Sequence, residues 1–148
     1  DLDRPIGFDF GAGPIMEGFS AIRNDTRYSP ERGYGWVKYD NVWKGDRGVG
    51  DHLIRDYCSG GEDREWVVAL PDGSYTVTVV MVDTLFDHFA PDIYLEGEQV
   101  FENRSIRVNE PIRPSFQTQV SDGRLTCEFI NPGHLPYFAL NGIIIERN

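Results

Sequence analysis

The chain has 148 residues, 40% hydrophobic and 13% aromatic, which suits one folded domain with a single core and excludes a disordered tail. A net charge of −10 argues against nucleic acid or an anionic membrane as the general partner, although screening beyond about 8–10 Å leaves room for a locally basic pocket. No apolar run approaches the roughly 20 residues of a membrane-crossing helix, and 16 glycines and 9 prolines, scattered along the chain, suit short strands joined by turns.

Ile6, Phe8 and Phe10 alternate in an opening strand that Gly11 and Gly13 end. The start, DLDRP, has no signal-peptide character, as expected of a mature or excised domain. Phe19–Arg23 reads as a short strand within a polar excursion, and residues 34–39 as the next. Residues 40–64, rich in Gly and Asp, show no clear period and are expected to form a long, functional loop. The run from Glu65 to Asp83 carries the clearest pattern. Val68, Leu70, Tyr75, Val77, Val79 and Met81 recur every second residue around Pro71-Asp72-Gly73, which predicts a hairpin.

Loop 84–90 follows, then Ile93 and Leu95, a turn at Glu96-Gly97-Glu98, and a return through Val100 and Phe101. Residues 103–114 form a third connection. Phe116–Val120 and Leu125–Ile130 flank Ser121-Asp122-Gly123, a second predicted hairpin. Loop 131–137 leads to a final strand over 138–146. No ten-residue segment has a helical stripe, and there is no internal repeat. About nine short strands with turn signals between them predict an all-β antiparallel sandwich or barrel. If the tight turns at 71–73, 96–98 and 121–123 share one end, loops 40–64, 84–90, 103–114 and 131–137 gather at the other, as in a binding scaffold.

Cys58 and Cys127 leave both a disulfide and free buried thiols open. Asn24-Asp25-Thr26 and Asn103-Arg104-Ser105 are glycosylation sequons, relevant only to a eukaryotic secretory source.

FDFG at 8–11, DTRYSPERGYGW at 25–36, VALPDGSYTVTVVMVD at 68–83 and FALNGIIIER at 138–147 together resemble a galactose-binding-like jelly roll. The likeness is closest to the N-terminal accessory domain of rhamnogalacturonan acetylesterases and related polysaccharide-degrading enzymes. More distantly the chain is similar to malectin-type domains and to family 35 and family 6 carbohydrate-binding modules. The resemblance implies a two-sheet β-sandwich, secretion, and attachment to a catalytic domain of the same enzyme acting on plant or algal polysaccharide. It requires no cofactor and allows a structural calcium.

Sugar recognition needs an aromatic face for the apolar side of a pyranose and polar groups for its hydroxyls. Trp43, Tyr57, Phe86, Phe89 and Tyr137 lie in the loops expected at the rim, with Trp43 the best single candidate. Asp87 and His88 between two phenylalanines would make a hydrogen-bonding pair. Alternatively, Phe86 and Phe89 are the loop's own small core. Trp36 and Trp66 lie on strands and belong with the core. Arg104, with the arginines at 47, 55, 107 and 113, suits an acidic or sulfated sugar, with internal salt bridges as the competing reading. Asp40, Asp46, Asp51, Asp56 and Asp63 offer oxygen for calcium in no recognisable loop spacing, and His52, His88 and His134 do not approach a zinc motif. No nucleophile elbow or phosphate loop is present, so the leading expectation is a non-catalytic module that binds poly- or oligosaccharide. The competing one is a brace for a neighbouring catalytic domain that binds no sugar itself.

Overall fold

Strand after strand, the residues that alternate in the sequence point into one core. A computed structural model describes residues 2–38, 43–60, 63–132 and 138–148, with the Trp43 side chain outside the description. Fifteen strands and no helix occur among the described residues: β1 (Ile6–Phe10), β2 (Phe19–Ile22), β3 (Tyr34–Lys38), β4 (Trp43–Asp46), β5 (Asp56–Gly60), β6 (Arg64–Ala69), β7 (Gly73–Val80), β8 (His88–Ala90), β9 (Asp92–Leu95), β10 (Glu98–Phe101), β11 (Arg104–Ile106), β12 (Ser115–Val120), β13 (Arg124–Ile130), β14 (Phe138–Leu140) and β15 (Gly142–Arg147). The first sheet runs β12-β7-β15-β1-β2, the second β10-β9-β13-β6-β3, and the third β11-β8-β14-β5-β4. Pairing is antiparallel except at β1–β2 and β14–β8.

Phe8 and Phe10 of the first sheet meet Trp66 of the second edge-to-face, at 4.8 and 5.6 Å between ring centroids. Phe10 also meets Trp36 at 5.7 Å. Both tryptophans are therefore core residues, and such ring pairs contribute about 0.5–1.5 kcal/mol beyond their burial. The third sheet carries the core onward through Cys58, Ala90, Phe138 and Leu140. Cys58 and Cys127 are free and buried, and burial pushes both thiols well above their ordinary range.

Two predicted hairpins are corrected. β6 pairs with β13 and β3, whereas β7 pairs with β12 and β15, so Pro71–Gly73 joins opposite sheets. The turn at 121–123 likewise carries the chain from the first sheet to the second. Alternation separates inside from outside, but two strands facing the same core from opposite walls read like two paired strands. The two crossings stand side by side: Leu70 N–H donates to Gly123 O (3.0 Å) and Gly123 N–H to Asp72 Oδ1 (2.9 Å). Tyr75 Oη donates to Pro71 O (2.6 Å) and holds the first crossing closed. The turn at 96–98 is a true hairpin, with Glu96 and Gly97 at φ 52° and 80° as a two-residue type I′ turn demands.

Residues 40–64 were expected to be loop, yet β4 and β5 lie within them as an antiparallel pair. Asp56, Tyr57, Cys58 and Ser59 are all buried, so β5 shows no alternation to read. The final strand, expected to be continuous, breaks at Asn141, where the chain leaves the third sheet for the first. Asn141 is fully buried: Nδ2 donates to Asp56 O (2.8 Å) and Oδ1 accepts from Val82 N–H (2.7 Å). Asn141→Ala should leave both groups unpaired in the interior and cost about 2–3 kcal/mol, read as a lower urea midpoint at unchanged m-value.

The expected gathering of loops is observed for three segments. Asn109 N–H donates to Asp83 O (2.8 Å), Val108 N–H to Asp87 Oδ1 (2.8 Å), and Arg47 pairs with Asp83. Most of loop 131–137 lies outside the described residues.

Candidate functional site

Asp83 follows β7 at the point where the chain turns into the rim. Its side chain is fully buried, and its oxygens collect donors from three directions. Arg47 binds it bidentately, Nε to Oδ1 at 3.1 Å and Nη2 to Oδ2 at 2.9 Å. His88 Nε2 lies 2.8 Å from Oδ2, and the Leu85 and Phe86 amides donate to Oδ1 at 2.8 and 3.3 Å. Burial by itself would raise this carboxyl. The Arg47 hydrogen bonds, the Leu85 amide and the Arg47 and His88 charges outweigh burial and hold it below its ordinary value.

Held in this way, the Arg47 guanidinium lies 5.1 Å from the centroids of both the Tyr57 and Phe86 rings. Cation–π contact at such distances is worth about 0.5–2 kcal/mol. Gly45, opposite Tyr57 in register, makes room for that ring, since a Cβ there would come within 2.7 Å of it. Tyr57 is buried, whereas Phe86 is 58% exposed. On the three segments that meet here, Val49, Leu85 and Val108 are also exposed, at 52%, 52% and 41%. The outcome is an exposed aromatic ring backed by a guanidinium that is itself paired with a carboxylate.

Of the residues expected to act together, Tyr57, Phe86 and His88 meet around Arg47 and Asp83, with the Tyr57 and His88 rings 6.3 Å apart. The expected Asp87–His88 pair is corrected. Asp87 is exposed and accepts the Val108 amide, while His88, on β8, turns inward to Asp83. Phe89 is half-buried on β8, in register with Ser105 and Phe138. Arg104 is exposed on β11, opposite Ala90. Trp43 pairs with Ser59 at the head of β4, but its side chain, and all of Tyr137 and His134, lie outside the described residues. Asp83 was not singled out from the sequence. Its signal is a lone acid ending an apolar strand just before a turn, a place where carboxylates cap backbone amides.

A second acidic group lies where β1 meets β5. Asp9 and Asp56 are buried, and each keeps one oxygen unpaired, while the other accepts a backbone amide, Met16 for Asp9 and Gly13 for Asp56, both at 2.7 Å. Arg23 donates to the carbonyls of Gly11 (2.7 Å) and Gly13 (3.1 Å) and stands 4.0 Å from Asp56. Burial, aided by repulsion from Asp56, raises Asp9 to about 7; burial, with repulsion from Asp46, raises Asp56 to about 6. Calcium takes six to eight oxygens, and these residues do not fit it. The Gly11 and Gly13 carbonyls are taken by a guanidinium. Asp46 is held bidentately by Arg55, Asp51 caps the Leu53 and Ile54 amides, and Asp63 accepts the Asn131 amide. Asp40 lies outside the described residues. Among the described residues, no cluster of three acids, histidines or cysteines could hold a metal.

Comparison with known proteins places this architecture. The sequence profile of the beta-agarase/YXIM esterase-like, galactose-binding domain-like family matches residues 6–145. The chain belongs to that family. It is 29% identical over 144 residues to the uncharacterized esterase YxiM of Bacillus subtilis and 24% identical over 132 residues to beta-agarase A of Zobellia galactanivorans. Those matches cover 95% and 87% of this galactose-binding-like domain but only 36% and 23% of the two relatives. The crystal structure of YxiM superposes with a TM-score of 0.76 at 23% identity, over 98% of this domain and 40% of that chain. Beta-glucuronidase 2 of Bacteroides uniformis superposes with a TM-score of 0.69 at 15% identity, over 99% and 18%. The galactose-binding-like sandwich is thus a unit found within larger enzymes.

Proposed function

We propose that this domain is a non-catalytic carbohydrate-binding module that keeps a secreted, polysaccharide-degrading enzyme on plant or algal polysaccharide. Its contact site is the rim around Phe86. The observation that carries this reading is an exposed aromatic ring whose position is fixed from behind by Arg47, itself clamped by buried Asp83. A ring held in place loses little entropy when a sugar stacks on it. The rim arginines 47 and 55 are each committed to a carboxylate, which favours a neutral sugar here over an acidic one. Binding to a polymer raises the local concentration of substrate for the attached catalytic domain.

Affinity electrophoresis through gels containing agarose, a sulfated galactan or polygalacturonate tests this. The domain should be retarded by a neutral polymer, and Phe86→Ala should weaken retardation about tenfold while the domain stays folded, its melting temperature lowered by only a few degrees through loss of the Arg47 contact. A second reading, that of a brace, draws on the exposed apolar set of Val49, Leu85, Phe86 and Val108, which would suit a neighbouring domain in a longer chain. Free migration through every gel would favour the brace over the module.

A further inference from the structure

We propose that the outer face of the first sheet is a second contact surface, for a neutral, hydroxyl-rich polysaccharide chain. In a protein with a net charge of −10, this face is almost uncharged. Register places Ser115, Thr78, Ile144, Gly7 and Phe19 in one row across the five strands. Gln117, Thr76 and Glu146 form the next row across three of them, and Glu146 is the one charge in these two rows. β12 is an edge strand, and SFQTQV contains neither a charge nor a proline, the usual protections of an exposed edge.

The polar groups are already ordered. Gln117 Nε2 donates to Thr76 Oγ1 (2.8 Å), and Thr76 Oγ1 donates to Asn148 Oδ1 (2.7 Å). Asn148 Nδ2 lies within hydrogen-bond distance of Gln117 Oε1 (2.6 Å) and Ser74 Oγ (2.8 Å), and Thr78 bonds Ser115 at 2.7 Å. Amides and hydroxyls both donate and accept, as sugar hydroxyls require, and a preformed array has already met much of its ordering cost. Same-face side chains on a sheet recur about 6.8 Å along a strand and about 4.8 Å across strands, the scale of single sugar rings.

The apolar half of a sugar site is present as well. The half-buried Phe19 ring lies over Gly7, where a Cβ would come within 2.6 Å of it, so the absence of a side chain at residue 7 lets the ring lie down on the sheet. At the β12 edge the face continues into a groove of about 500 Å³ lined by Ser74, Gln117, Gln119, Ser121, Glu96 and Glu98. Glu96, Glu98 and Glu146 would repel uronate or sulfate, and Arg147, the nearest cation along β15, is turned toward the Tyr75 ring and donates to Asp72 O. The charge pattern therefore selects a neutral chain.

The test uses the same gels with Gln117→Ala/Thr76→Ala, Phe19→Ala and Phe86→Ala. The double variant changes only two sheet-surface positions, so it serves even if Phe19→Ala fails to fold. Retardation by agarose should fall about tenfold in the double variant at a wild-type melting temperature, and independently of the loss in Phe86→Ala. Unchanged retardation of a folded double variant would overturn the proposal. So would retardation by the charged polymers alone, or by none. A change in oligomeric state with retardation intact would also overturn it, assigning the β12 edge to pairing with a second copy. Loss in the double variant with none in Phe86→Ala would support this face while sinking the rim reading.

Discussion

Asp83→Ala should destabilise the domain by roughly 3–5 kcal/mol and dismantle the rim in the same step. Arg47 and His88 lose a buried partner, and the Leu85 and Phe86 amides lose their acceptor. With nothing to clamp it, Arg47 no longer backs the Phe86 ring, so any affinity carried by that ring goes too. Asp83→Asn separates the contributions: the remaining carbonyl can still cap the two amides, while the charge pairing with Arg47 is gone. Urea denaturation should place Asn between wild type and Ala. Equal losses in both variants would mean that charge, and not amide capping, accounts for the whole effect. The depressed carboxyl also fixes a sign, because its stabilisation is present above the ordinary pKa near 4 and is lost as pH falls through the lower folded value.

Asp9 and Asp56 should give the domain the opposite pH dependence. Their folded pKa values, about 7 and about 6, lie above the ordinary 3.8. The stability they contribute is complete below about pH 4 and is lost as pH rises through 6 and 7. Between pH 5 and pH 7, stability should fall by about 1.4 kcal/mol per pH unit for each of the two that still holds its proton in the fold. Asn at either position mimics the neutral acid, so Asp9→Asn should flatten the profile and raise stability at pH 8. Thermal melts at pH 5, 6, 7 and 8 check this. A wild-type profile that rises toward pH 8 would show that Arg23 keeps both carboxylates ionised in the fold.

The periodicity of the chain was enough to mark the walls of the sandwich but not to assign strands to walls. Val68 and Leu70 before the Pro71 turn, and Tyr75 and Val77 after it, keep the same alternation whether the turn folds back or crosses over. The deciding interactions, Leu70 with Gly123 and Asp72 with Gly123, join residues about fifty positions apart. β5 was invisible for another reason: four successive buried residues, two of them polar, imitate an irregular loop. At the rim, composition pointed to Tyr57, Phe86 and His88, which the fold brings together around Arg47 and Asp83. It misread Asp87, because an acid next to a histidine in sequence points to the other face of a strand or turn. Asp83 organises the rim through contacts reaching back 36 residues to Arg47, which local pattern cannot supply.

The place of β15 in the first sheet has a consequence for how the molecule is made. It lies between β7 and β1, and Ile6 finds its partner only at Ile145. The amino-terminal strand therefore has to wait, unpaired on that side, for nearly the whole domain to leave the ribosome. Contacts of such long sequence separation make folding slow and expose apolar strands in the meantime, so this domain should depend on chaperones more than its size suggests. Removing β15 would not trim an edge. It would take the middle strand out of the sheet and leave β1 and β7 without a neighbour in common.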